Sequence, residues 1–168
     1  MIYYIVYIIA IYILLVFVLS RLVIPHLGFS EEKIPEQMPA EMRVKIEEYK
    51  AQSRTDEEFL RLAYDYLGSR YRSERFNTFL KFNYLFKSLD EAWRMGGYLP
   101  CTVNNYLLKI FLVSSGWFKE EDIRRRHVFV NFILHQYLQV KINDKWLDVD
   151  VGEKQRGLPI GKHLKYFG

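Results

Sequence analysis

Cysteine and histidine are scarce in this chain. Its 168 residues include one cysteine, Cys101, and four histidines. A single thiol excludes an internal disulfide and a zinc site built from several cysteines. The histidines are scattered rather than set at metal-ligand spacing, so we expect neither a metal ion nor another cofactor.

The net charge is also small, and no low-complexity segment is visible. Lys and Arg number 24 against 20 Asp and Glu, a net charge of +4 that does not by itself indicate a nucleic-acid partner. No internal repeat is visible. Hydrophobic residues make up 50% of the chain, which is enough for a packed core. The length therefore indicates one globular domain with an extension.

Charge is absent from the first twenty residues. A helix rises about 1.5 Å per residue, so this stretch reaches about 30 Å, the hydrocarbon thickness of a bilayer. A cleavable signal peptide has a basic start and a small-residue cleavage site, and neither is present. We predict a retained single-pass anchor over residues 1–24 that contacts the membrane through residues 1–20. A signal peptide and a buried core helix are the alternatives.

The sequence leaves open on which side of the membrane the domain lies. Arg21 and Lys33 follow the predicted anchor, and no basic residue precedes it. The positive-inside tendency therefore favours a cytoplasmic domain. Glu31 and Glu32 lie beside these two cations and weaken that preference.

Two segments follow the anchor. Residues 25–54 contain prolines and mixed charges, and we predict a juxtamembrane linker with one short charged helix, AEMRVKIEEYKAQ. Residues 55–168 are predicted to form the domain. Its first helices carry capping-box patterns that begin at Thr55 and Ser88 and are completed by Glu58 and Glu91.

A buried helix and a short sheet are predicted in the second half of the domain. The helix runs from about Pro100 to Ser115, and Lys109 is its only charged residue. The polar run KEEDIRRR is predicted as a loop, HVFVNFIL and HQYLQVKI as strands, NDK as a turn and WLDVDV as the returning strand. GEKQRGLPIGKHLKYFG is predicted as a terminal loop. The predicted fold class is α+β, with the buried helix packed on a short antiparallel sheet.

Cys101, His135 and Asp150 form the candidate catalytic group. Cys101 opens the apolar helix, where free N–H groups and the positive helix end favour the nucleophilic thiolate form of a cysteine. His135 opens a strand and can accept and return a proton. Asp150 closes the next strand and can fix the tautomer and orientation of the imidazole. Each residue alone is more often structural, but together they indicate a thiol acyl-transfer site.

Strand parity allows His135 and Asp150 to meet. In an antiparallel hairpin with a loop of two or four residues, both side chains lie on the same face of the sheet. Asp150 then lies directly opposite His135 or diagonal to it, depending on the register. Asp148 has the same parity but lies nearer the turn, so Asp150 is the better partner.

These residues resemble the transglutaminase-like superfamily of papain-related thiol enzymes. The first family motif is a cysteine at the start of an apolar helix that ends in glycine, as Cys101 and Gly116 do here. The second motif is carried in this chain by His135, Tyr137, Gln139, the NDK turn, Trp146, Val149 and Asp150. The resemblance covers roughly residues 88–151.

The resemblance implies a papain- or transglutaminase-like core and a membrane-anchored cysteine enzyme. Such an enzyme acts on an amide bond of a peptide or protein through a thioester, with water as acceptor in a protease or amidase and an amine in crosslinking. Candidate oxyanion or substrate contacts are the backbone N–H of Cys101 and the side chains of Trp93, Tyr98, Asn104 and Asn105. The two asparagines have a structural alternative, which is bonding to a neighbouring loop.

Two other functions remain open at this point. The family commonly has glycine and tryptophan where this chain has Leu99 and Tyr137, so an inactive binding or scaffold domain at the membrane is the main alternative. Basic and aromatic residues are interleaved over residues 69–87, and Arg124–Arg126 add charge, a pattern that also occurs in nucleic-acid binders. We expect those aromatics to form a core or interface and rank nucleic-acid binding last.

Overall fold

The first helix, α1, is long, apolar and exposed. It runs over Ile2–Val23 and is π-helical at Leu14–Leu19. An 18-residue window of these 22 residues has a mean hydropathy of 2.8, and none of that window is buried. The helix is therefore long and apolar enough to cross a membrane, a property that a signal sequence near an N-terminus shares. The computed structural model describes residues 2–28, 32–74, 77, 80–131 and 133–165.

The helices of the domain match the capping patterns of the sequence. Thr55 Oγ1 accepts the Glu58 N–H at 3.1 Å, and Ser88 and Glu91 form the predicted reciprocal capping box. Positive φ angles at Gly96 and Gly97 follow the second of these helices, a conformation that favours glycine. The helix bounds are α2 Ala40–Gln52, α3 Asp56–Arg70, α4 Leu89–Met95 and α5 Cys101–Ser114. Short 3₁₀ helices cover Phe82–Phe86, Glu120–Asp122 and Val151–Arg156.

The strands form two small sheets. β1 (Tyr71–Arg72) pairs in parallel with β2 (Gly97–Tyr98). β3 (Ile123–Val130), β4 (Ile133–Ile142) and β5 (Lys145–Val149) form an antiparallel sheet in that order. The chain is thus a mixed helix and strand protein, as predicted.

Two predicted boundaries in this sheet are wrong. Arg124–Arg126 were placed in a loop but lie in β3, where each side chain has a partner. Arg124 lies 3.9 Å from the centre of the Trp146 ring, Arg125 pairs with Glu32, and Arg126 donates to Gln139. The apolar run HVFVNFIL is also not one strand, because the chain reverses near Asn131, which has a φ of 44°. His135 is consequently the third residue of β4 rather than its first.

The core is centred on α5. This helix packs against α3, α4 and β4, and ten of its residues are buried. Met42 and Ile46 of α2 are 0% and 1% exposed and belong to the same apolar cluster. The predicted linker therefore contains a helix that is part of the domain core. The predicted terminal loop contains the 3₁₀ helix Val151–Arg156, which packs against α3 and α5.

The segment that follows α1 is held against the domain. The His26 carbonyl accepts hydrogen bonds from Arg125 Nη1 at 3.1 Å and from Gln136 Nε2 at 2.8 Å. Arg125 Nη1 also lies 3.1 Å from Glu32 Oε1. Lys109, the buried charge of α5, donates to the Glu32 carbonyl at 2.8 Å. We call these contacts the juxtamembrane clamp, because they fix the end of α1 to both the sheet and the central helix.

Candidate active site

The only cysteine lies at the first residue of α5. Pro100 precedes it as the helix cap, with φ −58° and ψ 148°, and has no side-chain capping bond. The N–H groups of the first helical turn have no partners within a helix, so they point toward any group placed at this end. Cys101 is partly buried and is not in a disulfide. The sulfur thus lies beside unused backbone donors at the positive end of a buried helix.

His135 and Asp150 lie in direct contact beneath the sheet. The imidazole Nε2 is 2.7 Å from Asp150 Oδ2, and the two side chains are 4% and 1% exposed. The β4–β5 turn is Asn143–Asp144, with φ angles of 48° and 62°, as in a type I′ hairpin. This register pairs Leu138 with Val149, the last residue of β5. Asp150, which was predicted to close this strand, is instead the next residue and caps the 3₁₀ helix Val151–Arg156. An extension of the register would place it opposite Tyr137 and diagonal to His135. The diagonal arrangement is one of the two that strand parity predicts.

Cys101 completes the series of contacts. Its side chain is close enough to His135 to raise the pKa of the imidazole. Burial alone would lower the pKa of His135, but the hydrogen bond to Asp150 and the interactions with Asp150 and Cys101 outweigh it and raise the pKa to about 10. At neutral pH the site therefore favours an imidazolium bonded to a carboxylate.

A second histidine on the neighbouring strand behaves in the opposite way. His127 on β3 pairs with Gln136, the residue after His135. Burial and the positive charges of Arg21, Arg125 and His135 lower the pKa of His127 to about 4. His127 is therefore neutral near pH 7, whereas His135 carries a proton.

The C-terminal segment covers the carboxylate. The backbone N–H of Leu164 donates to Asp150 Oδ2 at 3.1 Å. His163 stacks on Tyr137 with ring centres 4.3 Å apart, and its Nδ1 lies 2.7 Å from Asp148 Oδ2. Asp150 Oδ1 is buried and has no hydrogen-bond partner among the described residues. The sequence predicts a loop for this segment, and no local pattern in it indicates a contact with a residue as distant as Asp150.

The two asparagines of α5 are bonded within the protein. Asn104 Nδ2 donates to Ser73 Oγ at 3.0 Å and to the Leu99 carbonyl at 3.3 Å. Asn105 Nδ2 donates to the Gln136 carbonyl at 2.8 Å. Both side chains are 2% exposed. These contacts fit the alternative in which the two asparagines bond within the protein. Asn105 also positions β4, the strand that carries His135.

The aromatic candidates differ in their surroundings. Trp93 is 1% exposed and its ring lies 5.9 Å from that of Phe111. Phe111 lies about 15 Å along α5 from Cys101, at about 1.5 Å per residue, so Trp93 is a core residue. Tyr98 is nearer in sequence to Cys101 and is 6% exposed, with its ring 5.6 Å from that of Tyr84.

An apolar cavity opens beside the thiol. Its volume is about 390 Å³, and α1, α5 and the start of β4 contribute to its walls. Cys101 and Thr102 lie on one side of it. Thr102 Oγ1 is buried and has no hydrogen-bond partner in the described part of the chain. Thr102 was not predicted as a site residue, because a threonine in an apolar helix has no distinguishing sequence signal.

Within the described ranges, no group of three or more His, Cys, Asp or Glu side chains could hold a metal ion. Comparison with protein-family models, curated proteins and solved structures finds no match to this chain. The function is therefore inferred from the side chains of the site.

Proposed function

We propose that the protein is a membrane-anchored thiol enzyme that transfers or hydrolyses acyl groups through a thioester on Cys101. The observation that carries the proposal is the buried His135–Asp150 pair, 2.7 Å apart, whose imidazole also interacts with Cys101 at the start of α5. The arrangement resembles the transglutaminase-like and papain-related enzymes, in which the histidine Nδ1 side faces the thiol and an acid or amide holds the other nitrogen. A buried helix that begins at the cysteine and packs on an antiparallel sheet supports the same class.

Each residue has a distinct role in this chemistry. Cys101 Sγ attacks the carbonyl carbon of the acyl donor as a thiolate, and the unused N–H groups at the start of α5 bind the oxyanion that forms. His135 donates its proton to the leaving group, and later removes one from the acceptor that attacks the thioester. Asp150 orients the imidazole and stabilises its charged form.

The anchor is the second part of the proposal. α1 has the length and hydropathy of a membrane span, and the juxtamembrane clamp joins its end to β3, β4 and α5. Retention of α1 in the mature protein distinguishes an anchor from a signal sequence. Intact mass of the membrane fraction after alkaline extraction tests this, since a cleaved protein would lack the first helix and would leave the membrane.

The thiol chemistry is tested by alkylation at neutral pH. The chain has one cysteine, so iodoacetamide reports on Cys101 alone. We expect the folded protein to react faster than the same protein unfolded in denaturant. We also expect His135→Ala to slow acylation by p-nitrophenyl acetate by about 10²–10⁴-fold, the usual contribution of general acid–base catalysis.

Two controls accompany these measurements. Cys101→Ser should give no label, which assigns the signal. If the folded protein reacts no faster than the unfolded one and His135→Ala changes neither rate, the enzyme proposal is wrong. A non-catalytic domain at the membrane, which keeps its cellular role after Cys101→Ser, would then be the remaining interpretation.

A further inference from the structure

We infer that the acyl donor is an ester of a membrane phospholipid, whose acyl chain lies in the cavity between α1 and Cys101. This inference rests on the proposed function, because it names the substrate class of the same thiol. It differs from the amide substrate that the family resemblance implies.

The walls of the cavity are almost entirely apolar. Leu15 and Val16 of α1 form one side, and Ile133 and Leu134 of β4 form another. Its volume of about 390 Å³ lies within the range of small-molecule sites, about 300–1,000 Å³. Such walls stabilise a hydrocarbon chain through burial but provide few partners for the N–H and C=O groups of a peptide.

One wall of the cavity belongs to the helix that has the length and hydropathy of a membrane span. On this wall Leu15 is exposed and Val16 is half-buried. Phe17 on the same helix stacks on Phe129 of β3, with ring centres 5.6 Å apart. The cavity therefore lies at the depth where α1 meets the domain. A lipid chain reaches it from the bilayer without crossing water.

One polar side chain in the cavity has no partner. Thr102 is 4% exposed, lines the cavity next to Cys101, and its Oγ1 has no hydrogen bond to any described residue. An acyl ester has one polar group at the end of a long apolar chain. The Thr102 oxygen is sealed from the cavity as it stands, so a rotation of this side chain about χ1 is needed to bring the hydroxyl to an ester oxygen while the chain fills the apolar space.

The reaction balances with water as the acceptor. The Cys101 thiolate attacks the ester carbonyl carbon, the ester C–O bond breaks, and His135 protonates the oxygen of the departing lysophospholipid. A water molecule then attacks the thioester, His135 removes its proton, and the thiolate leaves with a free fatty acid as the product. An amine or alcohol in place of water would receive the acyl chain.

The test uses the full chain reconstituted in phosphatidylcholine vesicles. We expect the mass of one fatty acyl group on Cys101 by intact-protein mass spectrometry, with lysophosphatidylcholine released in an amount equal to the acyl-enzyme and the free fatty acid together. Val16→Trp and Leu134→Trp fill opposite walls and should each slow this acylation about tenfold or more, because the site cannot accept both the indole and the chain. Far-UV circular dichroism and thermal unfolding of both variants should match wild type, which shows that each variant is folded.

Thr102 provides a second, matched comparison. Thr102→Val keeps the branched shape and removes the hydroxyl, whereas Thr102→Ser keeps the hydroxyl. Lipid acylation should fall in the valine variant and persist in the serine variant.

Three results would overturn the inference while leaving the proposed function intact. In each, Cys101 still reacts with p-nitrophenyl acetate in a His135-dependent way. One is neither an acyl thioester nor lysophosphatidylcholine on vesicles, another is unchanged lipid acylation in both tryptophan variants, and the third is acylation by an S-palmitoyl peptide but not by phosphatidylcholine. Loss of the His135-dependent reaction with p-nitrophenyl acetate instead refutes the proposed function itself.

Discussion

The backbone N–H of Leu164 donates to Asp150 Oδ2 at 3.1 Å, and the same oxygen lies 2.7 Å from His135 Nε2. One carboxylate oxygen thus joins the C-terminal segment to the imidazole of the site. A backbone donor has a fixed direction, so it restricts the rotation of the carboxylate more than water would. The C-terminal segment is therefore part of the machinery that orients His135.

Removing the Leu164 N–H that donates this bond should slow the acylation of Cys101. Leu164→Pro removes the N–H, and we expect acylation of Cys101 by p-nitrophenyl acetate to fall about tenfold or more, since a hydrogen bond to a charged group contributes about 1.5–3 kcal/mol and about 1.4 kcal/mol is tenfold. Leu164→Ala keeps the N–H and serves as the matched control. Equal rates in the two variants would show that this bond does not orient Asp150.

The raised pKa of His135 predicts how stability changes with pH. The folded-state pKa of about 10 lies above the ordinary value of 6.5. The contribution of His135 to folding is therefore complete below about pH 6.5 and is lost as pH rises toward about 10. Thermal unfolding in detergent should show wild type losing more stability than His135→Gln over this range. Parallel curves for the two proteins would contradict the coupling.

Close packing at Gly152 predicts that a larger residue there lowers the free energy of unfolding. A Cβ added to Gly152 would lie 2.2 Å from Ser73 Oγ and 2.9 Å from Ser73 Cβ, so the backbone must shift. We expect Gly152→Ala to lower the free energy of unfolding by about 1–3 kcal/mol, as overpacking does. It should also slow Cys101 acylation, because Asp150 precedes Gly152 by two residues.

Gly28→Ala is the control for that experiment. A Cβ there would lie 3.5 Å from the Arg21 carbonyl, an ordinary contact. Its free energy of unfolding should change by no more than about 1 kcal/mol. Similar losses in both variants would show that the Ser73 contact is not the cause.

The juxtamembrane clamp predicts a role for Glu32. Arg125 and Glu32 side chains are 14% and 15% exposed and 3.1 Å apart. Glu32→Gln should destabilise the protein by about 1–3 kcal/mol and increase proteolysis after α1, because the partly buried ion pair is weakened. Glu121→Gln, in an exposed pair 3.7 Å from Lys119, should change stability by about 0.5 kcal/mol at most.

Local signals in the sequence predicted the parts of the fold that depend on nearby residues. The helix of AEMRVKIEEYKAQ, the box at Ser88 and Glu91, and the start of α5 after Pro100 all have caps or periodicity within a few residues. The Asn143–Asp144 turn follows from the same kind of signal. Strand parity then placed Asp150 on the face of His135.

Local patterns of this kind do not predict contacts between segments that are distant in the sequence. The reversal near Asn131 interrupts a run of apolar residues that has no glycine or proline. The sequence therefore predicts one continuous strand there. The bond from Asn105 to Gln136 and the contact of Gly152 with Ser73 join segments that no periodicity relates. The cavity is a similar case, because its walls come from α1 and α5, which are far apart in the sequence.

The juxtamembrane clamp has a kinetic consequence. With α1 in a bilayer, the clamp holds the thiol at one height relative to the lipid surface, and the domain is not free to swing on a flexible tether. Encounters with substrate then depend on lateral diffusion within a plane. Turnover should accordingly follow the surface density of substrate, and dilution of the vesicles at constant lipid composition should leave it unchanged.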